Sequence, residues 1–146
     1  MHRYTTEQGV DFIKSFEGFK PYVYKDIAGL NTIGYGHLIR KGEVFPETIS
    51  EEEGEIILKR DLYKAERSIL RNINVPLFDN QFNSLVSWVF NIGSGAIQRS
   101  TLRMKLNRGD DIDDVGDEFL KWVYAGGRRI KGLIRRRKAE RLMFIG

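Results

Sequence analysis

The chain has 146 residues, of which 41% are hydrophobic and 30% charged, with a net charge of +4; this suits one cored domain with a well-solvated surface. It contains no cysteine, which excludes a disulfide framework. The longest apolar run, Leu85 to Phe90, is interrupted by Ser87 and far too short for a bilayer, and Met1 to Thr6 lacks the apolar core and cleavage site of a signal peptide.

A first helix is predicted from Thr5 or Thr6, where Thr5-Thr6-Glu7-Gln8 reads as a capping box. Val10, Ile13 and Phe16 share one face of it. Gly18 ends the regular helix and Pro21 prevents its resumption, so Glu17 falls at the C-terminal end. Residues 20–46 change character. Tyr22-Val23-Tyr24 and Asn31 to His37 are rich in aromatic and β-branched types, with Asp26-Ile27-Ala28-Gly29 as a turn between them. The expectation is a small antiparallel sheet with a third strand near Leu38–Phe45, too small to stand without helices against it.

Ser50-Glu51-Glu52-Glu53 is a second capping box, opening a long helix from Glu51 to about Asn72. After Pro76, a helix from Asp79 to Asn91 is apolar nearly all round, the mark of a buried central helix. Shorter helices are expected over Ser100–Asn107 and Ile112–Trp122. Gly126-Gly127 reads as a flexible connection, and a last helix runs from Leu133 to Ile145, with Leu133, Ile134, Leu142, Met143 and Phe144 as its apolar contribution. Sheet first and helices after give an α+β arrangement.

Three residues stand out for chemistry. Glu17, beside Phe16 and Phe19, is a carboxyl whose desolvation would favour the proton-carrying form of a general acid. Asp26 follows an aromatic strand and could hold a water. Thr32 could fix the same water from a second direction. Two carboxylates facing across a cleft are the minimum equipment for cleaving a glycosidic bond. Taken singly, each has an ordinary structural explanation: a solvated helix-end glutamate, a turn aspartate bonded to its own backbone, a strand threonine. Gly34 and Gly36 flank Tyr35 in a strand, where glycine often marks close approach of a ligand or backbone; position 39 is isoleucine, so no dinucleotide-binding GxGxxG follows. His37 is joined only by His2 and by no cysteine, so no metal site is expected.

Charge is unevenly placed. Eight basic residues and one acidic residue, Glu140, lie between Arg128 and Arg141, leaving the rest of the chain net negative. A basic tail suggests an anionic partner. Arg135-Arg136-Arg137-Lys138 could be a nucleic-acid patch, although no recognised DNA- or RNA-binding motif accompanies it.

Taken together, Phe16-Glu17-Gly18, Tyr24-Lys25-Asp26 and Asn31-Thr32-Ile33-Gly34-Tyr35-Gly36-His37 resemble the phage-type lysozymes. Trp88 to Gly93, Ser100 to Arg103 and Gly132 to Arg141 extend the likeness over nearly the whole chain. The resemblance implies one lysozyme-like domain over 1–146. In it a β-lobe (about 18–50) and a helical lobe (about 73–146, with the N-terminal helix) are joined by a long helix (about 51–72), with a cleft between them. It implies an endolysin muramidase acting on the β-1,4 bond between N-acetylmuramic acid and N-acetylglucosamine in peptidoglycan, without a cofactor. Glu17 would be the acid of an inverting displacement, with Asp26 and Thr32 positioning water. Leu38, Phe90 and Asn91, and more remotely Ser100 and Thr101, would contact saccharide. His37 would meet Asp61, and Arg136 would approach Glu17. A monomer would accumulate in the host cytoplasm without a membrane anchor, leave through a holin pore, and act on the wall in the periplasm. The competing readings are a non-catalytic wall-binding or assembly protein, a nucleic-acid-binding domain built on the basic helix, and a related hydrolase acting on chitin or another N-acetylhexosamine polymer.

Overall fold

A computed structural model describes residues 1–146. Helix α1 (Glu7–Glu17) is followed by strands β1 (Lys20–Lys25), β2 (Asn31–Gly34) and β3 (His37–Leu38). Then come α2 (Glu51–Asn72), α3 (Asp79–Ile92), a 3-10 turn (Ile97–Arg99), α4 (Thr101–Arg108), α5 (Ile112–Phe119), the short strands β4 (Tyr124–Ala125) and β5 (Arg128–Arg129), and α6 (Lys131–Ile145). The fold is α+β.

The expected N-terminal capping box does not form. Thr6 is the cap, its hydroxyl accepting from the Gly9 amide. Thr5 instead donates its amide and hydroxyl to Glu66 Oε2 at 2.7 and 2.6 Å, tying the N-terminal segment to α2. The second box forms in full. The Glu53 amide donates to Ser50 Oγ at 3.1 Å and the Ser50 amide to Glu53 Oε1 at 3.0 Å, satisfying donors that a helix start leaves free.

The sheet has the order β1-β2-β3, antiparallel throughout. Tyr24 faces Thr32 across β1 and β2, and Thr32 faces Leu38 across β2 and β3. The register shifts between Lys20 and Tyr24, an irregularity that bends a strand and re-aims its side chains. The third strand stops at Leu38 and does not continue to Phe45, because the Glu43 amide turns back to Arg40 O.

Helix α3 is the hub. Every residue from Phe82 to Val89 is buried, and α1, α2 and α6 pack around it. Trp88 meets Phe119 and Trp122 edge-on, with ring centroids 5.7 and 5.6 Å apart, a geometry aromatic quadrupoles favour. A smaller core of Ile33, Ile49 and Ile57 joins the sheet to α2.

Two C-terminal expectations are corrected. Gly126-Gly127 is the turn of a hairpin joining β4 and β5, both glycines having positive φ. The inner face of α6 carries Arg136, Arg137, Glu140 and Phe144, while Leu142 is exposed. Spacings of three and four residues put the charged groups on that face, and they point inward because they neutralise one another.

Candidate active site

Between the sheet and the helices lies an open cleft of about 1220 Å³. That exceeds the roughly 300–1,000 Å³ of small-molecule pockets and suits a polymer. Of the residues singled out from the sequence, Glu17, His37, Leu38, Asp61, Phe90 and Asn91 line it. Asp26, Thr32, Ser100, Thr101 and Arg136 are not among the lining residues. Ser100 caps α4, its hydroxyl accepting from the Arg103 amide and donating to Ile97 O. Thr101 is an exposed first residue of the same helix.

Glu17 ends α1. Gly18 follows at φ 71 and its amide returns to Lys14 O, so the helix stops there and leaves the glutamate at the cleft. Its side chain is 20% exposed. Arg136 Nη1 donates to Glu17 Oε2 at 2.8 Å, and the same guanidinium lies 5.4 Å from the Phe16 ring centroid. Glu17 Oε1 faces Gly36. A Cβ at position 36 would stand 2.9 Å from that oxygen, and Gly36 has φ +76. Only glycine meets both demands without strain.

Beneath Glu17 lies a charged cluster that is closed to solvent. Glu140 is fully buried. Ser87 donates to Glu140 Oε2 at 2.6 Å, Arg136 Nε lies 3.3 Å from the same oxygen, and Arg137 Nε lies 2.8 Å from Oε1. That last approach is an ion pair whose angle is too poor for a hydrogen bond. Burial pushes the Glu140 carboxyl up, while Arg137 and Arg136 pull it back. Arg137 Nη2 also donates to Asn91 Oδ1 at 2.8 Å, leaving the amide nitrogen of Asn91 to the cleft.

Asp26 and Thr32 are linked through one residue. The Leu30 amide donates to Asp26 Oδ1 at 2.8 Å, and Thr32 Oγ1 donates to Leu30 O at 2.9 Å. The turn therefore consumes one carboxylate oxygen and the single hydroxyl proton. It leaves Asp26 Oδ2 and the Thr32 lone pairs as acceptors. The sequence reading passed over Tyr24. Burial pushes its phenol up first, and the negative charges of Glu17 and Asp26 push it further, so one ring stands within electrostatic reach of both carboxylates. Its only signal in the sequence was its place two residues before Asp26.

His37 is buried between two carboxylates. Nδ1 lies 2.7 Å from Asp61 Oδ2 and Nε2 lies 2.9 Å from Glu43 Oε1. Both ring nitrogens donate at once only in the imidazolium. Glu43 was also missed from the sequence. The Arg40 amide donates to it at 2.7 Å, and this bond, with His37, holds its carboxyl below the usual range against the effect of burial. No group of three or more His, Cys, Asp or Glu side chains is placed to hold a metal ion, and no helix is long and apolar enough to cross a membrane.

A small sheet, a long helix and a helical body around a glutamate-bearing cleft make a lysozyme-like fold. The crystal structure of a P22 lysozyme mutant superimposes with a TM-score of 0.88 at 34% identity, covering 99% of each chain. A family profile described as Phage lysozyme matches residues 14–140. The endolysin of Acyrthosiphon pisum secondary endosymbiont phage 1 is 39% identical over 145 residues, 95% of this chain and 96% of that protein. The endolysin of Bacillus phage B103 is 38% identical over 143 residues, and there the chain spans only 53% of the relative's length. The chain belongs to the phage lysozyme family.

Proposed function

We propose that this chain is an endolysin muramidase that hydrolyses the β-1,4 bond between N-acetylmuramic acid and N-acetylglucosamine in peptidoglycan, by a single inverting displacement. The observation that carries the mechanism is the half-buried Glu17 at the cleft, with Oε2 taken by Arg136 and Oε1 free of any protein donor. The free oxygen is the one able to carry a proton to the leaving-group oxygen.

Hydrogen-bond accounting supplies the other half. A water between Asp26 Oδ2 and Thr32 Oγ1 meets two acceptors, because the threonine proton is already given to Leu30. Both water protons are then claimed, and its lone pair is left to attack the anomeric carbon. As the glycosidic C–O bond breaks, Glu17 gives its proton to the departing oxygen. The water oxygen bonds the opposite face of the sugar and its proton passes to Asp26. Leu38, Phe90 and Asn91 offer ring-face and amide contacts along the cleft.

The protein would accumulate on the cytoplasmic side, pass through a holin pore, and reach the wall as a monomer. Turbidity loss of a cell-wall suspension, with Glu17→Gln as control, tests the activity. Proton NMR of the anomer first released tests the stereochemistry: an α-anomer from the β-linked substrate supports inversion, and a β-anomer overturns it. The nucleic-acid reading is weakened because Arg136 and Arg137, at the centre of the basic run, are buried.

A further inference from the structure

Four basic side chains gather on one wall of the cleft. Arg40 and Lys41 come from the loop after β3, and Arg60 and Lys64 come from α2. The last two are four residues apart and so share a helix face. All four residues are exposed. Arg40, Lys41 and Lys64 have no carboxylate within 4.0 Å, and the only one near Arg60 is Glu43 at 3.9 Å.

The acidic groups of the cleft offset this wall only in part, because each is also engaged by another partner. Glu17 is held by Arg136, Asp61 by His37, and Glu43 by His37 and the Arg40 amide. The wall stands in the part of the sequence that is net negative, outside the basic run of the last helix. Its charge is therefore local and separate from the feature that first suggested an anionic partner.

Sugar rings are uncharged and give no reason for four exposed cations in a glycan cleft, three of them without a carboxylate partner and Arg60 with only a distant one. The anionic groups of peptidoglycan are the carboxylates of the stem peptides, which project from the lactyl arm of each muramic acid. We infer that Arg40, Lys41, Arg60 and Lys64 form a specificity wall that receives stem-peptide carboxylates while the glycan lies along Leu38, Phe90 and Asn91. This rests on the muramidase reading above. Long, flexible cations suit stems of variable sequence, since a lysine or arginine follows a mobile carboxylate without requiring one geometry.

The test uses soluble glycan fragments free of teichoic acid, either native or with carboxyl groups neutralised by carbodiimide amidation. The quantity read is the ratio of kcat/KM on native to amidated fragments, so a variant that merely folds poorly lowers both values and leaves the ratio unchanged. The wild type should prefer native fragments by about tenfold at low salt, since several individually weak exposed charge pairs act together. The preference should fade as salt rises. The quadruple variant Arg40→Gln, Lys41→Gln, Arg60→Gln, Lys64→Gln should bring the ratio close to one. Equal wild-type rates on the two fragments, or an unchanged ratio in the variant, overturns the inference. So does a charge preference that appears only on walls carrying teichoic acid, which would assign the cations to phosphate. Cleavage of neither fragment by the wild type would instead refute the muramidase reading itself.

Discussion

Arg136 bridges Glu17, exposed to the cleft, and Glu140, which is closed to solvent: its Nη1 lies 2.8 Å from the first and its Nε 3.3 Å from the second. One guanidinium thus fixes the orientation of the cleft carboxyl and is itself fixed from behind. The Glu17 carboxyl is positioned by the helical core and not only by its own helix.

Removing the hidden anchor should be costly. In Glu140→Ala, Arg137 would remain fully buried and Arg136 nearly so, without the carboxylate they share. Breaking a buried pair from one side costs about 3–5 kcal/mol. Urea denaturation should show a loss of that size, and a loss below about 1 kcal/mol would mean the cluster is not stabilised as an ionic unit.

Removing the visible carboxylate should affect rate far more than stability. Glu17→Gln keeps the shape of the side chain and removes the transferable proton. Wall lysis should fall by about 10²–10⁴-fold, the range of general acid catalysis, with thermal unfolding little changed. A variant retaining more than a tenth of wild-type activity would remove Glu17 from the role of acid.

Gly36 can be separated from ordinary glycine strain by a matched control. In Gly36→Ala the new Cβ meets Glu17 Oε1 at 2.9 Å, whereas Gly109, at φ +82, has nothing within 4 Å of its Cβ direction. Both substitutions should lose about 1–2 kcal/mol from the left-handed backbone. Only Gly36→Ala should also lose wall lysis at temperatures where it remains folded. Equal activity in the two variants would show that the Gly36–Glu17 approach is incidental.

Acid stability should report on Glu118. Burial pushes its carboxyl up, but the ammonium groups of Lys121 and Lys105, at 2.7 and 2.9 Å, outweigh burial and hold it below its ordinary value. The stability this lends is complete above the ordinary glutamate value of 4.5 and is lost as pH falls through the lower folded value. Wild-type stability should therefore drop more steeply below about pH 4.5 than that of Glu118→Gln. Superimposable acid limbs would show that the pair contributes nothing.

Much of this architecture was legible from local chemistry. Gly18, the Asp26–Gly29 turn and the Ser50–Glu53 box are short-range signals, and each of these boundaries is as read. What stayed hidden depends on partners distant in sequence. Thr5 and Thr6 are equivalent as caps until Glu66 claims Thr5. Residues 39–45 read as strand until Glu43 turns back to His37. The approach of Arg136 to Glu17 was implied by the resemblance, but the burial of Arg137 and of Glu140 beside it was not, because the run 135–138 reads locally as a basic patch. Tyr24 stood in the sequence only as part of the Tyr24-Lys25-Asp26 motif, and its burial and its exposure to the charges of Glu17 and Asp26 are properties of the fold.

The chain places Glu17 near its beginning and the arginine that orients it 119 positions later. During synthesis from the N-terminus, the first cleft carboxyl emerges long before helix α6 exists to hold it. A chain that ends before residue 136 lacks the guanidinium that holds this carboxyl. The contact that fixes the Glu17 carboxyl therefore forms only after helix α6 has been made, because it pairs a residue with one synthesised 119 positions later.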